Sequence, residues 1–265
     1  MKDATTELES ETGQPEPEEE ESGKMSFLEH LDELRKRLVR IIAYLGIGFI
    51  ASWYFSKAIF HFLDKPLREQ LPPGVNLVFT NPTEAFVLYM KIAFVTGIFL
   101  TIPFSLYEVW KFISPGLYRR EKRYVVPFMV SSVVLFAAGA TFCYAYVLPQ
   151  AYRFLIGFGA DFTPMITITE YYDLTLMMLL GFGLIFEMPV IVAFLSIWGL
   201  VSAHFLWSKF KYSIVGMVAL AAVLSPTGDA FNLMIWSAPM IVLYLLSIGV
   251  AALFGWRRKK RENSA

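Results

Sequence analysis

The chain has 265 residues, of which 56% are apolar and only 17% are charged. A soluble domain of this length cannot hide so large an apolar fraction in one core, so the composition predicts a membrane protein. The formal net charge is zero, although nine of the 23 acidic residues lie within the first 21 positions. The single cysteine, Cys143, excludes an intrachain disulfide and a cysteine metal site.

The first predicted segment is an acidic tail at residues 1–24. It contains Pro15, Pro17 and four consecutive glutamates at 18–21, and it has no apolar periodicity. Such a composition is typical of disorder. A solubilising extension and a binding segment both fit it.

An amphipathic helix is predicted to follow the tail. Ser26 and Glu29 match a capping box at its start. Apolar residues then recur at helical spacing on one side, at Phe27, Leu31, Leu34 and Leu38. This pattern predicts a helix that lies along a membrane surface.

Six transmembrane helices are predicted after that, so residues 25–265 form one all-α integral membrane domain. The spans are about 39–60, 85–108, 124–148, 172–198, 212–226 and 231–254. We expect Pro149 to end the third span. The apolar part of the fifth, from Tyr212 to Leu224, is 13 residues, or about 20 Å against a hydrocarbon layer of about 30 Å, which predicts local thinning of the bilayer.

The orientation follows from the lysines and arginines that flank the spans. With the tail counted inside, 18 lie on one face and four, Lys57, Lys65, Arg68 and Arg153, lie on the other. Basic residues near span ends stay in the cytoplasm, so both termini are predicted to be cytoplasmic, with a short basic C-terminus from about residue 256. No internal repeat is evident, so the inverted-repeat signature of many transporters is absent from the sequence.

Two charged residues, Glu187 and Lys91, are predicted to lie deep in the spans. Glu187 lies in the fourth span, where an ionised carboxylate costs at least a few kcal/mol. Pro189 follows it and predicts a kink with a wetted pocket. Glu187 is therefore either a functional intramembrane group or a satisfied hydrogen-bond anchor, and Lys91, near the outer end of the second span, can extend its amine to the interface.

Two charged stretches are predicted at the cytoplasmic face. In the helix at 27–38, charges form i, i+4 pairs, Asp32 with Lys36 and Glu33 with Arg37, which is also what a solvated helix face looks like. In the connection at 110–123, Glu121 is the lone carboxylate among five cations, as in an ordinary basic loop. No Walker loop, HExxH or GxSxG motif occurs, so we predict neither catalysis nor a cofactor or metal.

Four motifs, in this order, resemble the TatC family, the large subunit of the twin-arginine protein translocase. They are HLDELRKRL at 30–38, PTEAF at 82–86, VWKFISPGLYRREKR at 109–123 and FGLIFEMPV at 182–190. The resemblance covers residues 25 to about 260 and leaves out the acidic tail. SPTGDAF at 225–231 matches a family motif only loosely.

The resemblance implies a receptor, in the bacterial inner membrane, for folded precursor proteins whose signal peptides carry paired arginines. It places Glu33 and Glu121 at the positions that recognise those arginines, and a carboxylate pair suits two guanidinium forks. Other family positions linked to function are Arg35, Phe112, Leu117 and Pro66. Phe112 and Leu117 are suited to apolar signal-peptide residues.

The resemblance also implies an oligomeric complex with single-span partners of the TatA and TatB type, and no nucleic acid. A folded 100-residue cargo has a radius of gyration near 13 Å, too wide for six helices of about 10 Å to ring. We expect the partners to dock at the fifth and sixth spans. Polar candidates for that contact, or for ordinary helix capping, are Ser225, Thr227, Asp229 and Asn232.

Two other classes of protein fit parts of the pattern. An ion- or proton-coupled small-solute transporter could use Glu187 and Lys91 as a coupled site. A scaffold or insertase-like protein would bind membrane-protein clients without depending on arginine.

Overall fold

The computed structural model describes residues 27–71, 75–113, 125–159, 161–162, 165–224 and 229–262. Within these ranges the chain is helical, apart from connections and one isolated bridge. The first six helices are α1 Phe27–Tyr54, α2 Ser56–Leu63, α3 Lys65–Arg68, α4 Glu84–Ile113, α5 Val125–Phe142 and α6 Leu148–Phe158. They are followed by α7 Ile168–Ile185, α8 Met188–Ile197, α9 Ala203–Ser208, α10 Phe210–Leu224 and α11 Ala230–Glu262.

Five stretches of the described chain are long and apolar enough to cross a membrane. They are Leu28–Tyr54, Glu84–Ile113, Val126–Phe158, Ile168–Ile197 and Ala230–Leu253. The predicted fifth span corresponds to a shorter apolar helix, Phe210–Val223. The chain is therefore a multi-pass membrane protein, and this shorter apolar helix falls where the sequence predicts the shortest span.

The amphipathic helix and the first span are one continuous helix, α1, so the prediction of a separate surface helix is wrong. No proline occurs between Phe27 and Tyr54, and the first glycine is Gly46, so nothing in the backbone ends a helix at residue 38. The charged stretch is also anchored by tertiary contacts, because Arg37 is buried against α4.

The prediction that Pro149 ends the third span is also wrong. The chain passes from α5 through one π-helical turn, Cys143–Val147, and continues as α6. In this turn the Leu148 N–H donates to the Cys143 carbonyl. The two residues are five positions apart, whereas an α-helix joins residues four positions apart. Pro149 then lies in the first turn of α6, where a residue without an N–H group is tolerated.

The predicted kink in the fourth span is observed. Helix α7 ends at Ile185, a turn at Phe186 and Glu187 follows, and α8 begins at Met188 with Pro189 in its first turn.

The two ends of the helix bundle are distinguished by aromatic contacts. Helices α1 and α4 run antiparallel, since His30 stacks on Phe112 with ring centroids 4.4 Å apart while Trp53 meets Phe86 at 5.8 Å. We call the end that holds His30 and Phe112 the terminal face and the opposite end the far face.

The terminal face also holds the end of α8 and the later part of α11. Trp110 of α4 stacks on Phe128 of α5 and meets Phe194 of α8 edge-on, with centroids 5.4 and 5.0 Å apart. The Ser196 hydroxyl donates to the Ala251 carbonyl of α11 at 3.3 Å. Both the first and the last described helices therefore have their outer ends on this face.

On the far face, tyrosine hydroxyls hold the short helix α2 in place. Tyr171 donates to the Leu63 carbonyl at 2.6 Å and Tyr172 donates to the Phe60 carbonyl at 2.9 Å. The hydroxyl of Tyr144, in the π turn, donates to the Phe62 carbonyl at 2.6 Å.

A parallel bridge between Val78 and Thr167 joins the two long connections of this face. The Val78 N–H donates to the Ile166 carbonyl at 3.0 Å, and the Ile168 N–H donates to the Val78 carbonyl at 2.9 Å. The segment between α1 and α4 is thereby fixed onto the start of α7.

The position of Tyr244 shows why α10 is short. The Tyr244 hydroxyl donates to the Leu206 carbonyl at 2.8 Å and accepts from the Ser213 hydroxyl at 2.9 Å. The corner between α9 and α10 thus packs on α11 at Tyr244, which precedes Ala251 by two turns, or about 10 Å. Helix α10 starts at that depth and does not reach the level of the terminal face.

Candidate functional site

A buried ion-pair network lies at the terminal face between α1 and α4. Arg37 is only 8% exposed, and its guanidinium binds two carboxylates at once. Its Nε donates to Oε1 of Glu33 at 3.0 Å, its Nη2 contacts the same oxygen, and its Nη1 donates to Oε2 of Glu108 at 2.9 Å. The i, i+4 pair of Glu33 with Arg37 is therefore formed as predicted, and it is packed inside the protein.

Glu108 is the centre of this network, and no sequence pattern considered above indicates it. The side chain is 3% exposed and has three partners. Besides Arg37, its Oε2 accepts from Nη1 of Arg40 at 3.4 Å, and its Oε1 accepts from the Tyr44 hydroxyl at 3.4 Å. The available signal was the i, i+3 spacing of Arg37 and Arg40, which places two cations on one side of α1 facing the end of α4.

Glu33 uses only one of its two oxygens in this network. Oε1 accepts from Arg37, whereas Oε2 is buried and has no hydrogen-bond partner among the residues that the structure describes. A buried carboxylate oxygen without a donor is unfavourable. Glu33 can therefore accept a further donor without giving up an existing bond at Oε2.

The other predicted residues of this region divide into three groups. Phe112 is half-buried beneath the His30 ring, at the end of α4. Arg35 is exposed on α1. Glu121 and Leu117 lie outside the described residues, in the connection that begins after Ile113.

The second predicted i, i+4 pair of α1 is also formed. Lys36 Nζ lies 2.7 Å from Oδ2 of Asp32, and both side chains are well exposed. The exposed pair matches the solvated-face reading of the sequence, whereas the Glu33 pair one residue later on the helix does not.

Glu187 lies at the break between α7 and α8 and is buried. The Ser132 hydroxyl of α5 hydrogen-bonds to its carboxyl group, while Oε1 has no partner within the described chain. Glu187 is thus partly satisfied, and its contacts fit both a functional group and a hydrogen-bond anchor.

Lys91 does not form a coupled site with Glu187. Its amine binds both carboxylate oxygens of Asp173 at 2.6 and 2.7 Å, in a pair whose side chains are 40% and 47% exposed. Asp173 precedes Glu187 by 14 residues of the α7–α8 segment, or roughly 20 Å. The arrangement therefore does not favour the transporter alternative.

Pro66 is a buried residue of the short helix α3 on the far face. Its neighbour Leu67 is fully buried, and Asp64, just before α3, binds Arg68. Pro66 is suited to the first turn of α3 because it lacks an N–H group that would otherwise need a partner.

Two of the four predicted docking residues are described, and both lie at the start of α11. Oδ1 of Asp229 accepts from the Asn232 N–H at 2.9 Å, and Oδ2 accepts from the Asn232 side-chain amide at 3.0 Å. This is the capping arrangement that the sequence also allowed. Ser225 and Thr227 lie outside the described residues.

Over the described residues, no group of three or more histidine, cysteine, aspartate or glutamate side chains has an arrangement suited to a metal ion.

The comparisons with known proteins agree on one family. The family model for the Sec-independent protein translocase protein TatC matches residues 29–239. The chain is 49% identical to the Sec-independent protein translocase protein TatC of Koribacter versatilis over 90% of both chains. It is 37% identical to the protein of that name from Aquifex aeolicus, over 90% of this chain and 98% of that one.

A crystal structure of a twin-arginine translocase receptor, TatC, has the same fold. It superposes with a TM-score of 0.77 at 35% identity, covering 85% of this chain and 99% of that one. The chain belongs to the TatC family and is a multi-pass membrane subunit of the Sec-independent protein translocase.

Proposed function

We propose that this chain is the receptor for signal peptides with paired arginines and that it binds them at the terminal face. In this proposal the chain lies in a bacterial inner membrane, with the terminal face on the cytoplasmic side. The observation that supports it best is the His30–Phe112 stack. It places the helix that carries Glu33 beside the end of α4, where the connection that carries Glu121 begins. In this proposal two carboxylates from distant parts of the sequence, Glu33 and Glu121, act together on the paired arginines.

The chemistry of the two sides is complementary. A guanidinium presents a rigid fork of donors that suits a carboxylate, and two arginines suit two carboxylates. Glu33 has a buried oxygen without a partner in the described chain. A lysine offers a point charge and makes a poorer fit.

Recognition must act at short range. The stretch from Lys111 to Arg123 holds five cations and one carboxylate, Glu121, a field that repels a cationic peptide at a distance. Hydrogen-bonded geometry at Glu33 and Glu121 therefore decides binding, while Phe112 and Leu117 receive apolar residues of the peptide and Arg35 borders the site.

The cytoplasmic placement of both termini rests on the distribution of basic residues, 18 against four. The structure is consistent with it, because α1 begins and α11 ends on the same face.

Transport of a folded protein requires further subunits, because the helices of one chain cannot enclose such a cargo. We propose that single-span subunits of the TatA and TatB type dock at the short helix α10 and the start of α11. Exposed apolar side chains there, Val223 and Met234, offer a surface to a partner helix. Ser225, Thr227, Asp229 and Asn232 are the polar residues that we propose for the same contact.

Glu187 is proposed as an intramembrane residue with a role in the same transport. Its support is that Oε1 has no partner among the residues that the structure describes, at a helix break, which is costly inside a membrane.

Photocrosslinking tests the receptor assignment. Probes at residues 29–37 and 112–123 are irradiated with a twin-arginine signal peptide and with its twin-lysine variant. We expect labelling that requires arginine and that is lost in Glu33→Gln and in Glu121→Gln. Asp32→Asn is the matched control, because it removes the neighbouring exposed carboxylate and is expected to leave labelling unchanged.

Unchanged labelling in both glutamate variants would overturn the assignment. Equal labelling by the lysine peptide would instead favour a scaffold or insertase-like protein that binds clients without reading arginine.

A further inference from the structure

We propose that Glu108 is a positioning residue for peptide recognition. It keeps its ion pair with Arg37 when Glu33 exchanges Arg37 for an arginine of the ligand. This inference depends on the proposed function, because it concerns how the same site becomes available. No family motif in the sequence pointed to Glu108, and it emerges from the tertiary contacts of α1 and α4.

The starting state contains an internal competitor. Arg37 already presents to Glu33 the guanidinium fork that an incoming arginine would present, through Nε and Nη2. A ligand arginine that binds Glu33 through both oxygens must therefore displace Arg37 at least partly.

A displaced Arg37 cannot be left alone, because it is almost fully buried. A buried charge that loses its only partner is strongly unfavourable. Glu108 removes this obstacle, since it binds Arg37 through Nη1, a nitrogen that Glu33 does not use. Arg37 can therefore release Glu33 and remain neutralised.

Glu108 is itself held in position for this role. Arg40 and the Tyr44 hydroxyl approach its two oxygens at 3.4 Å, and both belong to the next turns of α1. The carboxylate thus stays in place whether Arg37 makes two contacts with Glu33 or none. Among the described residues, Arg40 contacts Glu108 and not Glu33, so it is not the internal competitor.

A simpler role for Glu108 is a static tie between α1 and α4. The two roles predict different behaviour in double variants. Under the competition proposed here, removing Arg37 relieves the effect of losing Glu108, because Glu33 is then free of its internal partner. Under a purely structural role, removing a second member of the network does not restore binding.

The experiment measures the affinity of purified, full-length protein in nanodiscs for a fluorescent twin-arginine peptide. We expect Glu108→Gln to weaken binding about tenfold. Arg37→Gln combined with Glu108→Gln is expected to restore affinity to within about threefold of the unmodified protein.

The control is Arg40→Gln combined with Glu108→Gln. It has the same net charge as the rescuing variant but leaves Arg37 on Glu33, so it is expected to stay as weak as Glu108→Gln. This pair separates the loss of a competitor from a change in local charge.

Unchanged binding in Glu108→Gln, or equal affinity of the two double variants, would overturn the inference. If the Arg37→Gln double variant does not fold, Arg37→Met with Glu108→Leu replaces it, because apolar groups of similar size often substitute for a buried ion pair. Failure of the receptor proposal itself is separate, and it would appear as equal affinity of the unmodified protein for the arginine and lysine peptides.

Discussion

At the scale of single residues, buried hydroxyls fix the far face. Tyr171 is 2% exposed and donates to the Leu63 carbonyl, while its own carbonyl accepts from Thr175 and Tyr152. Each of these bonds joins groups that cannot reach water. The short helix α2 therefore owes its position to side chains of α7 and the π turn, and not to its own length of eight residues.

We expect Tyr171→Phe to loosen α2 without unfolding the bundle. The Leu63 carbonyl loses its donor, at a cost of about 1–2 kcal/mol. Hydrogen exchange should accelerate in residues 56–63 and stay unchanged in α4. Tyr146→Phe serves as the control, since Tyr146 is 67% exposed, and equal exchange of α2 in the two variants would contradict the assigned role.

The same scale shows what the sequence could predict about the site. The pairs of Asp32 with Lys36 and Glu33 with Arg37 follow from helical periodicity alone. Their burial does not, because it depends on how closely α4 approaches. For the same reason the sequence pattern shows Glu108 only as the end of a span. Lys91 likewise finds Asp173 across two helices, a pairing that no local spacing reveals.

At the scale of elements, glycines permit the closest helix contact. A Cβ on Gly97 of α4 would lie 2.8 Å from the Phe49 nitrogen and 2.9 Å from the Gly48 carbonyl carbon of α1. Both are backbone atoms, which cannot rotate away. The approach of α1 to α4 therefore requires the absence of a side chain, and the ion-pair network lies along the same helix pair.

Gly97→Ala is expected to separate α1 from α4 and to destabilise the protein by about 1–3 kcal/mol. A lowered thermal midpoint in detergent would show this. Gly46→Ala, also on α1, has nothing within 4 Å of the added methyl among the described atoms, so it should be neutral or stabilising. Equal midpoints of both variants would show that the contact tolerates a side chain.

Sequence patterns predicted the elements better than their ends. Apolar length located the five long apolar stretches of the described chain, because hydrocarbon thickness dictates that length. Sequence patterns do not reveal that α1 is continuous or that the third span continues past Pro149, since each depends on one local feature. Tertiary contacts hold the charged turns of α1, and a single π turn shifts the hydrogen-bond register before Pro149.

At the scale of the whole molecule, the predicted orientation rests on lysines and arginines, of which 18 are predicted on one face and four on the other. The end of α8 and the start of α1 lie at the terminal face, and the bridge of Val78 with Thr167 lies at the far face. The composition of the connections predicts which face is inside, and the structure shows which connections share a face. The orientation can therefore be tested at chosen positions.

Cysteine labelling from one side of the membrane tests that orientation. Phe79, at 66% exposure on the far face, and Leu200, at 65% in the connection after α8, are replaced singly by cysteine. The native Cys143 is fully buried, so it should add no background. With both termini in the cytoplasm, a membrane-impermeant maleimide added to spheroplasts should label Phe79→Cys and reach Leu200→Cys only after the membrane is opened. The reverse labelling pattern would show the opposite orientation. Glu33 and Glu108 would then lie at the outer surface, where a peptide presented from the cytoplasm could not bind them.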